Sequence, residues 1–238
     1  MLKRAFEALG YNQGDYEDAA RAVVWLESRA MHGLELALRD WQRLSKAGSA
    51  LEILPADNGV QVLAAHDSSI LTCGHCVADL AAAALEQHGS GRIVLRQCYS
   101  RMAILPSLEL CARRGAAAAA CWNDSNYQHV ARIDAWRTNP EYRRMKITPD
   151  NTASAATLHF ACHTQPQEVA AFLAEISSDG AQSTPDYLVL PEEMAAHRQA
   201  AIRQGIAVSD ELVAELTTTA EAVLVAASEQ SRRGAGEA

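Results

Sequence analysis

The chain has 238 residues, a net charge of −8, 49% apolar residues and 21% charged ones, enough for a sizeable core in one large domain. An acidic chain without clustered Lys and Arg lacks the footprint of a nucleic-acid binder, and no apolar run approaches the length needed to cross a bilayer. The start, MLKRAFEALGYNQGDYED, turns acidic after two basic residues, so it does not read as a signal peptide; with six Cys, it gives the expectation of a cytoplasmic chain with reduced thiols.

In chain order, Asp15 to Ala30 reads as a helix capped by Asp15, with Val23, Leu26 and Ala30 on one apolar stripe. Gly33 interrupts as a tight turn, and Leu34, Leu38, Trp41 and Leu44 predict a second helix ending before Gly48. Two apolar runs, Leu51–Leu54 and Val60–Ala64, flank the turn Pro55-Ala56-Asp57-Asn58-Gly59 and predict a β-hairpin. Cys76 to Gln87 is alanine-rich and helical. Gly91 to Asn123, GRIVLRQCYSRMAILPSLELCARRGAAAAACWN, reads as strand, short loop, helix and strand.

Ala131–Trp136 is a further strand, and Thr138–Pro149, with two prolines and a basic cluster, is loop or edge strand. A strand over Thr157–Cys162, a helix over Gln167–Ile176 and a linker over Ser177–Pro185 follow. Tyr187–Leu190 is a short strand, Pro191 opens a helix that Gly205 ends, and Ser209 caps a last helix reaching about Ala227. The expectation is one α/β domain over residues 1–228, helical to about residue 48, with N- and C-terminal helices packed around a central mixed sheet. Residues 229–238 form a polar, flexible tail.

Several groupings could carry chemistry. Cys73-Gly74-His75-Cys76 has the spacing of a dithiol at a helix start, where the dipole would lower a thiol pKa; two partly buried thiols are the plainer reading. No second CxxC or HxxxH on a helix accompanies it, and His159 and His163 lie too far apart along a strand to chelate easily, so no metal site is expected. His32, before Gly33, could meet a carboxylate or move a proton, or simply face the helix dipole. Arg96, Arg101, Arg143 and Arg144 could grip a carboxylate through paired N–H bonds, although surface arginines more often make ordinary ion pairs. No Gly-rich phosphate loop or G-x-S-x-G elbow occurs.

Four stretches, ALGYNQGDYEDAARAVVWLESRAMHGLEL, the Gly91–Asn123 unit, RTNPEYRRMKITPDNTASAATLHFAC and YLVLPEEMAAHRQAAIRQGIAVSDELVAEL, together resemble the malate/L-lactate dehydrogenase family. That group includes ureidoglycolate and sulfolactate dehydrogenases and imine reductases. The resemblance implies the family's fold, a homodimer with the Leu34–Leu44 helix and Trp41 at its interface (or Trp41 in the core), and a cleft using His32. It also places substrate contacts on Thr138 and Asn139 of the Thr138-Asn139-Pro140 turn.

The departures are specific. Leu36 stands where the family holds substrate with Arg, Ser100 beside Tyr99 where it has a catalytic His, and Phe160 or His159 where it has Asp. Between Cys162 and Gln167 much of the nicotinamide-binding segment is missing. A short, uncharacterised bacterial family is also similar at both ends. The resulting expectation is a shortened relative without a cofactor, binding a small carboxylate or a protein partner near His32, Arg96, Tyr99 and Arg101. The alternatives are altered chemistry on a hydroxy, keto or imino acid by His32, Tyr99 and Ser100, or thiol redox through Cys73 and Cys76.

Overall fold

The computed structural model describes residues 1–44, 51–55, 59–147, 156–177 and 184–221. The end of the second helix near Gly48, most of the Pro55–Gly59 turn, Thr148-Pro149, most of the 177–185 linker, the end of the last helix and the 229–238 tail fall outside them. The chain opens with four helices, α1 (Leu2–Ala8), α2 (Gln13–Glu27), α3 (Gly33–Arg39) and α4 (Trp41–Leu44). Asn12, not Asp15, precedes the first turn of α2, and Asp15 lies inside that turn, where its charge meets the helix dipole.

The single helix expected over Leu34–Leu44 is two. Asp40 leaves helical geometry at φ −100°, ψ 6°, and its carboxylate accepts a hydrogen bond from Ser100. The left-handed turn before α3 is made by His32 (φ 53°). Gly33 is needed for a different reason: a Cβ there would lie 2.3 Å from the Val23 carbonyl oxygen. Trp41 is buried, its ring centroid 5.3 Å from that of Phe6, so core packing is its role and the exposed-interface reading of that side chain is corrected.

One sheet holds the eight strands of the described residues, in the order β1-β2-β3-β7-β4-β5-β6-β8. The expected hairpin is β1 (Glu52–Leu54) against β2 (Val60–Ser69). Helix α5 (Ile70–His88) starts six residues earlier than its alanine run suggests, because Ser69 caps it by accepting the Leu71 N–H. Then come β3 (Gly91–Tyr99), a 3₁₀ turn (Arg101–Ile104), α6 (Leu105–Arg113) and β4 (Ala117–Asn123), the expected strand–helix–strand unit.

Its strands do not touch. β7 (Leu158–His163) inserts between them, antiparallel to both, and among the described strands only β2 and β3 pair in parallel. The strand expected over Ala131–Trp136 is β5 (Tyr127–Ile133), turned tightly back from β4 because Asp124 accepts the N–H groups of Asn126 and Tyr127. Trp136 instead adopts φ 64° and lies over Gly115, where a Cβ would come within 2.7 Å of its ring. Within the Thr138–Pro149 segment, Glu141–Lys146 is neither loop nor edge: it forms β6, which pairs with β5 on one side and β8 (Tyr187–Val189) on the other.

Strand alternation splits the core in two. Ala118, Ala120, Trp122, Ile93, Leu95 and Phe160 face α5, α6 and the N-terminal helices. Ala117, Ala119, Cys121, Val130 and Ala161 face α7 (Pro166–Ile176) through Val169, Phe172 and Leu173. Alanines fully buried on both faces of β4 let helices approach from each side, which overrides their helix preference. Helices α8 (Pro191–Gln204) and α9 (Asp210–Glu221) close the chain, and α9 packs on α1 through Leu212, Leu216 and Ala220. Among the described residues no helix is long and apolar enough to cross a membrane.

Candidate functional site

The carboxyl ends of β2, β3 and β4 gather the most strained backbone and a group of arginines. His66, Asp67, Gln97 and Ser100 all have φ between 46° and 65°, and the β2–β3 ladder slips between Ala64 and Ser68. Left-handed residues other than glycine cost free energy and tend to collect where function requires a given geometry. In open α/β sheets the carboxyl ends of the strands are also where ligands sit.

The side chains there interlock. Ser100 Oγ donates to Asp40 Oδ2 at 2.6 Å, so its hydroxyl is committed. Arg39 pairs with Asp40 at 3.2 Å. Arg43 pairs with Asp67 and lays its guanidinium 4.0 Å over the Tyr99 ring. Among the described residues the buried Tyr99 hydroxyl has no hydrogen-bond partner, and burial pushes its pKa up to about 12, against the pull of Arg43. Arg101 donates from Nη1 to the Cys98 carbonyl and from Nη2 to the Asn123 carbonyl, each at 3.2 Å, while its buried Nε has no partner. Burial draws its pKa below the ordinary value, and the charges of Arg39 and Arg43 add to that against the pull of Cys98 and Asp124.

Beside Arg101 stands a chain of groups that the sequence reading passed over. His129 Nε2 meets Asp124 Oδ2 at 2.8 Å and its Nδ1 meets the Tyr142 hydroxyl at 2.7 Å. Trp122 stacks on the imidazole with centroids 5.0 Å apart and planes 4° apart. Burial lowers the His129 pKa and outweighs the opposing pull of Asp124. For Asp124, burial pushes upward, but the N–H groups of Asn126 and Tyr127 and the imidazole bring the carboxyl below its usual value. Next along, Arg144 lies 4.3 Å over Tyr127 and 5.5 Å from Tyr187, pinned by Asp186 at 2.7 Å. The usable signal was alternation: Tyr127, His129 and Ala131 share one face of a strand that begins right after an Asp-Ser-Asn turn.

Tyr99, Ser100 and Arg101 therefore come together, and four other candidates do not join them. His32 precedes α3 and Asp40 follows it, so the two are about 12 Å apart along the helix axis. Its imidazole is exposed and lies 3.7 Å from Glu35. Arg96 is exposed, on the strand face opposite Leu95. Asn139 is buried at the other end of β6, its Oδ1 taken by Arg29 Nε at 2.7 Å, and Thr138 is exposed beside it.

Cys73 lies buried in the second half of the first turn of α5, bonded to the Ser69 carbonyl, and burial raises its pKa; Cys76 is exposed, and burial and the carboxylates of Asp15, Asp79 and Asp18 raise its pKa as well. Neither has the low pKa that dithiol exchange uses. Among the described residues no group of three His, Cys, Asp or Glu could hold a metal ion.

Residues 1–67 match a family described as a protein of unknown function (DUF3726), which covers α1 through most of β2. No curated protein matches the chain. Among the solved structures that are similar over nearly their whole length are three dehydrogenases. A dehydrogenase from Sinorhizobium meliloti is 12% identical with a TM-score of 0.67, covering 92% of this chain and 96% of its own. Malate dehydrogenase from Pyrococcus horikoshii is 10% identical with a TM-score of 0.62, covering 92% of each chain. Sulfolactate dehydrogenase from Methanocaldococcus jannaschii is 10% identical with a TM-score of 0.62, covering 92% and 93%. At such identities the likeness speaks to architecture: the chain has a malate/lactate dehydrogenase-like fold.

Proposed function

We propose that this chain is a dehydrogenase-fold scaffold that binds a small carboxylate at the carboxyl ends of β2, β3 and β4, and that it does not work as an autonomous nicotinamide-dependent dehydrogenase. The observation that carries the reading is Arg101. It is a partly buried guanidinium held in place by two backbone carbonyls, with, among the described residues, no carboxylate bonded to it and one buried N–H unspent. Such a group is poised for an anionic partner, since charge-assisted bonds to a carboxylate offset the cost of burying it. The buried Tyr99 hydroxyl is a second unspent donor on the same segment.

The residues present do not fit a nicotinamide-dependent reaction of the family's kind. Ser100, at the position of the proton-donating His, is committed to Asp40, and Leu36, at the position of the clamping Arg, is buried in the core. Only Thr164 and Gln165 join β7 to α7, so no cofactor-holding segment lies between those two elements. A second reading, altered chemistry on the same acids, draws on His129 and Asp124 as the titratable pair beside Arg101, because His32 stands apart. A homodimer and a cytoplasmic location belong to the same proposal, from the family resemblance.

The test is a thermal-shift titration of the whole chain with small 2-hydroxy, 2-oxo and 2-imino acids, since a ligand of the folded state raises the melting temperature. An acid should raise it, and Arg101→Met should weaken that acid about tenfold or more, the loss of one or two charge-assisted bonds. An acid-induced shift untouched by Arg101→Met removes the reading.

A further inference from the structure

On the other face of the sheet, at the other end of β5 and β6, lies a cavity of about 900 Å³. Val130 and Leu173 give it an apolar floor, and Arg143 projects into it from β6, registered beside Val130. It is separate from the Arg101 region because the two use opposite faces of the sheet: Trp122 and Tyr142 belong to the core under α5 and α6, whereas Cys121 and Val130 belong to the one under α7. A volume of this size suits a ligand of drug or metabolite dimensions.

The charges are ordered by depth. Arg143 is the inner one: its Nε is buried without a partner, and its charge reaches Cys121 beneath α7, opposing the burial that pushes that thiol up to about 12. Around the rim, Arg132 is spent on Asp134 at 3.1 Å. Arg137, Glu141 and Glu192 also line the opening, so its outer part is mixed in sign. The start of α8 adds no free anion site, because the Glu193 carboxylate already accepts the Leu190 N–H at 2.7 Å.

We propose that this cavity is a second ligand site, for an organic monoanion: a carboxylate or phosphate head on Arg143 and an apolar body on Val130 and Leu173. The inner guanidinium supplies the attraction. The carboxylates of Glu141 and Glu192 at the mouth disfavour ligands carrying further negative charge outside the head group. The apolar floor selects against small hydrophilic acids, which separates this specificity from that of the Arg101 region.

The test is isothermal titration of the full chain with 1-naphthoate and 1-naphthyl phosphate, with 1-naphthylmethanol as the uncharged control. The two anions should bind and the alcohol should bind at least tenfold more weakly. Arg143→Met should weaken the better anion tenfold or more. Ala174→Trp, at an exposed helix position lining the cavity, should block it while leaving the melting temperature within a few degrees. Arg101→Met should change nothing, so failure here is distinct from failure of the proposal for the Arg101 region. The proposal is overturned if neither anion binds the unmodified chain, if binding survives Ala174→Trp or Arg143→Met, or if Arg101→Met abolishes it.

Discussion

Replacing Glu109 with alanine should be among the most damaging single changes in the molecule. Glu109 lies buried in α6. Its Oε2 accepts the Trp25 indole N–H, and its Oε1 accepts two bonds from Arg113, at 2.7 and 3.1 Å. Arg29, with a side chain only 4% exposed, lies 3.6 Å from the same carboxylate, bonds Asn139 and rests 3.9 Å over the Trp25 ring. Truncation leaves that guanidinium charged, buried and without its counter-ion, a situation that costs about 3–5 kcal/mol. This is a large part of the roughly 5–15 kcal/mol that holds a domain folded.

The pair itself is not a net source of stability. Burial brings the Arg29 pKa down to about 10 in spite of Glu109, so the folded chain holds the charged form less readily than water does. That cost is present at neutral pH and lifts only as pH rises toward the ordinary arginine range. Replacing both partners, Arg29→Met with Glu109→Leu, should therefore recover most of the loss, with a coupling of at least about 1 kcal/mol between the two sites. Urea unfolding followed by far-UV circular dichroism measures all four species of the cycle. A Glu109→Ala variant within about 1 kcal/mol of the parent, or a double variant as unstable as the sum of the singles, refutes the argument.

Other consequences follow from single contacts. Gly91→Ala would set a Cβ 2.1 Å from the Ala81 carbonyl oxygen and 2.8 Å from Cys162 Sγ, so it should cost about 1–3 kcal/mol or more in urea unfolding, and a neutral result would mean that α5 does not approach β3 so closely. His129 has a folded pKa below its unfolded value, so it contributes stability above the ordinary imidazole range that is lost as pH falls through that range toward the folded pKa. His129→Gln should flatten the melting-temperature profile in that window, and an unchanged profile counts against a buried neutral imidazole. Of the six cysteines only Cys76 is exposed, so a thiol reagent should titrate one group promptly in the native chain and six in urea; rapid reaction at Cys73 would restore the dithiol reading.

Local pattern carried much of the architecture. The apolar stripe of α2, the proline that opens α8 and the apolar runs of β1 and β2 are short-range signals, and each element formed close to where its residues indicate. What local pattern could not carry was partnership across the chain. Nothing in the Gly91–Asn123 unit indicates that β7 enters between its strands, because that pairing is set by residues about forty positions further on. The polar, basic look of Glu141–Lys146 suggested an edge, yet both sides of β6 are paired and its arginines stack on tyrosines or project into a cavity.

The site was legible to the same degree. Tyr99, Ser100 and Arg101 are consecutive and were found together, since a strand-to-helix loop is a local object. His129 reaches Asp124 and Tyr142 only through the hairpin register of β4, β5 and β6, and His32 is separated from Ser100 because it precedes α3, whereas Asp40 at the other end of that helix takes the Ser100 hydroxyl. Trp41 shows the same limit, since its burial against Phe6 depends on how α1 crosses α4.

The most direct test of the central claim is a crystal structure of the chain soaked with NADH together with the small 2-oxo acid that gives the largest thermal shift. The account predicts the acid carboxylate bonded to Arg101 at the ends of β3 and β4, with no dinucleotide ordered on the protein. A dinucleotide bound across the sheet with its nicotinamide against the acid would contradict it and make the chain a dehydrogenase.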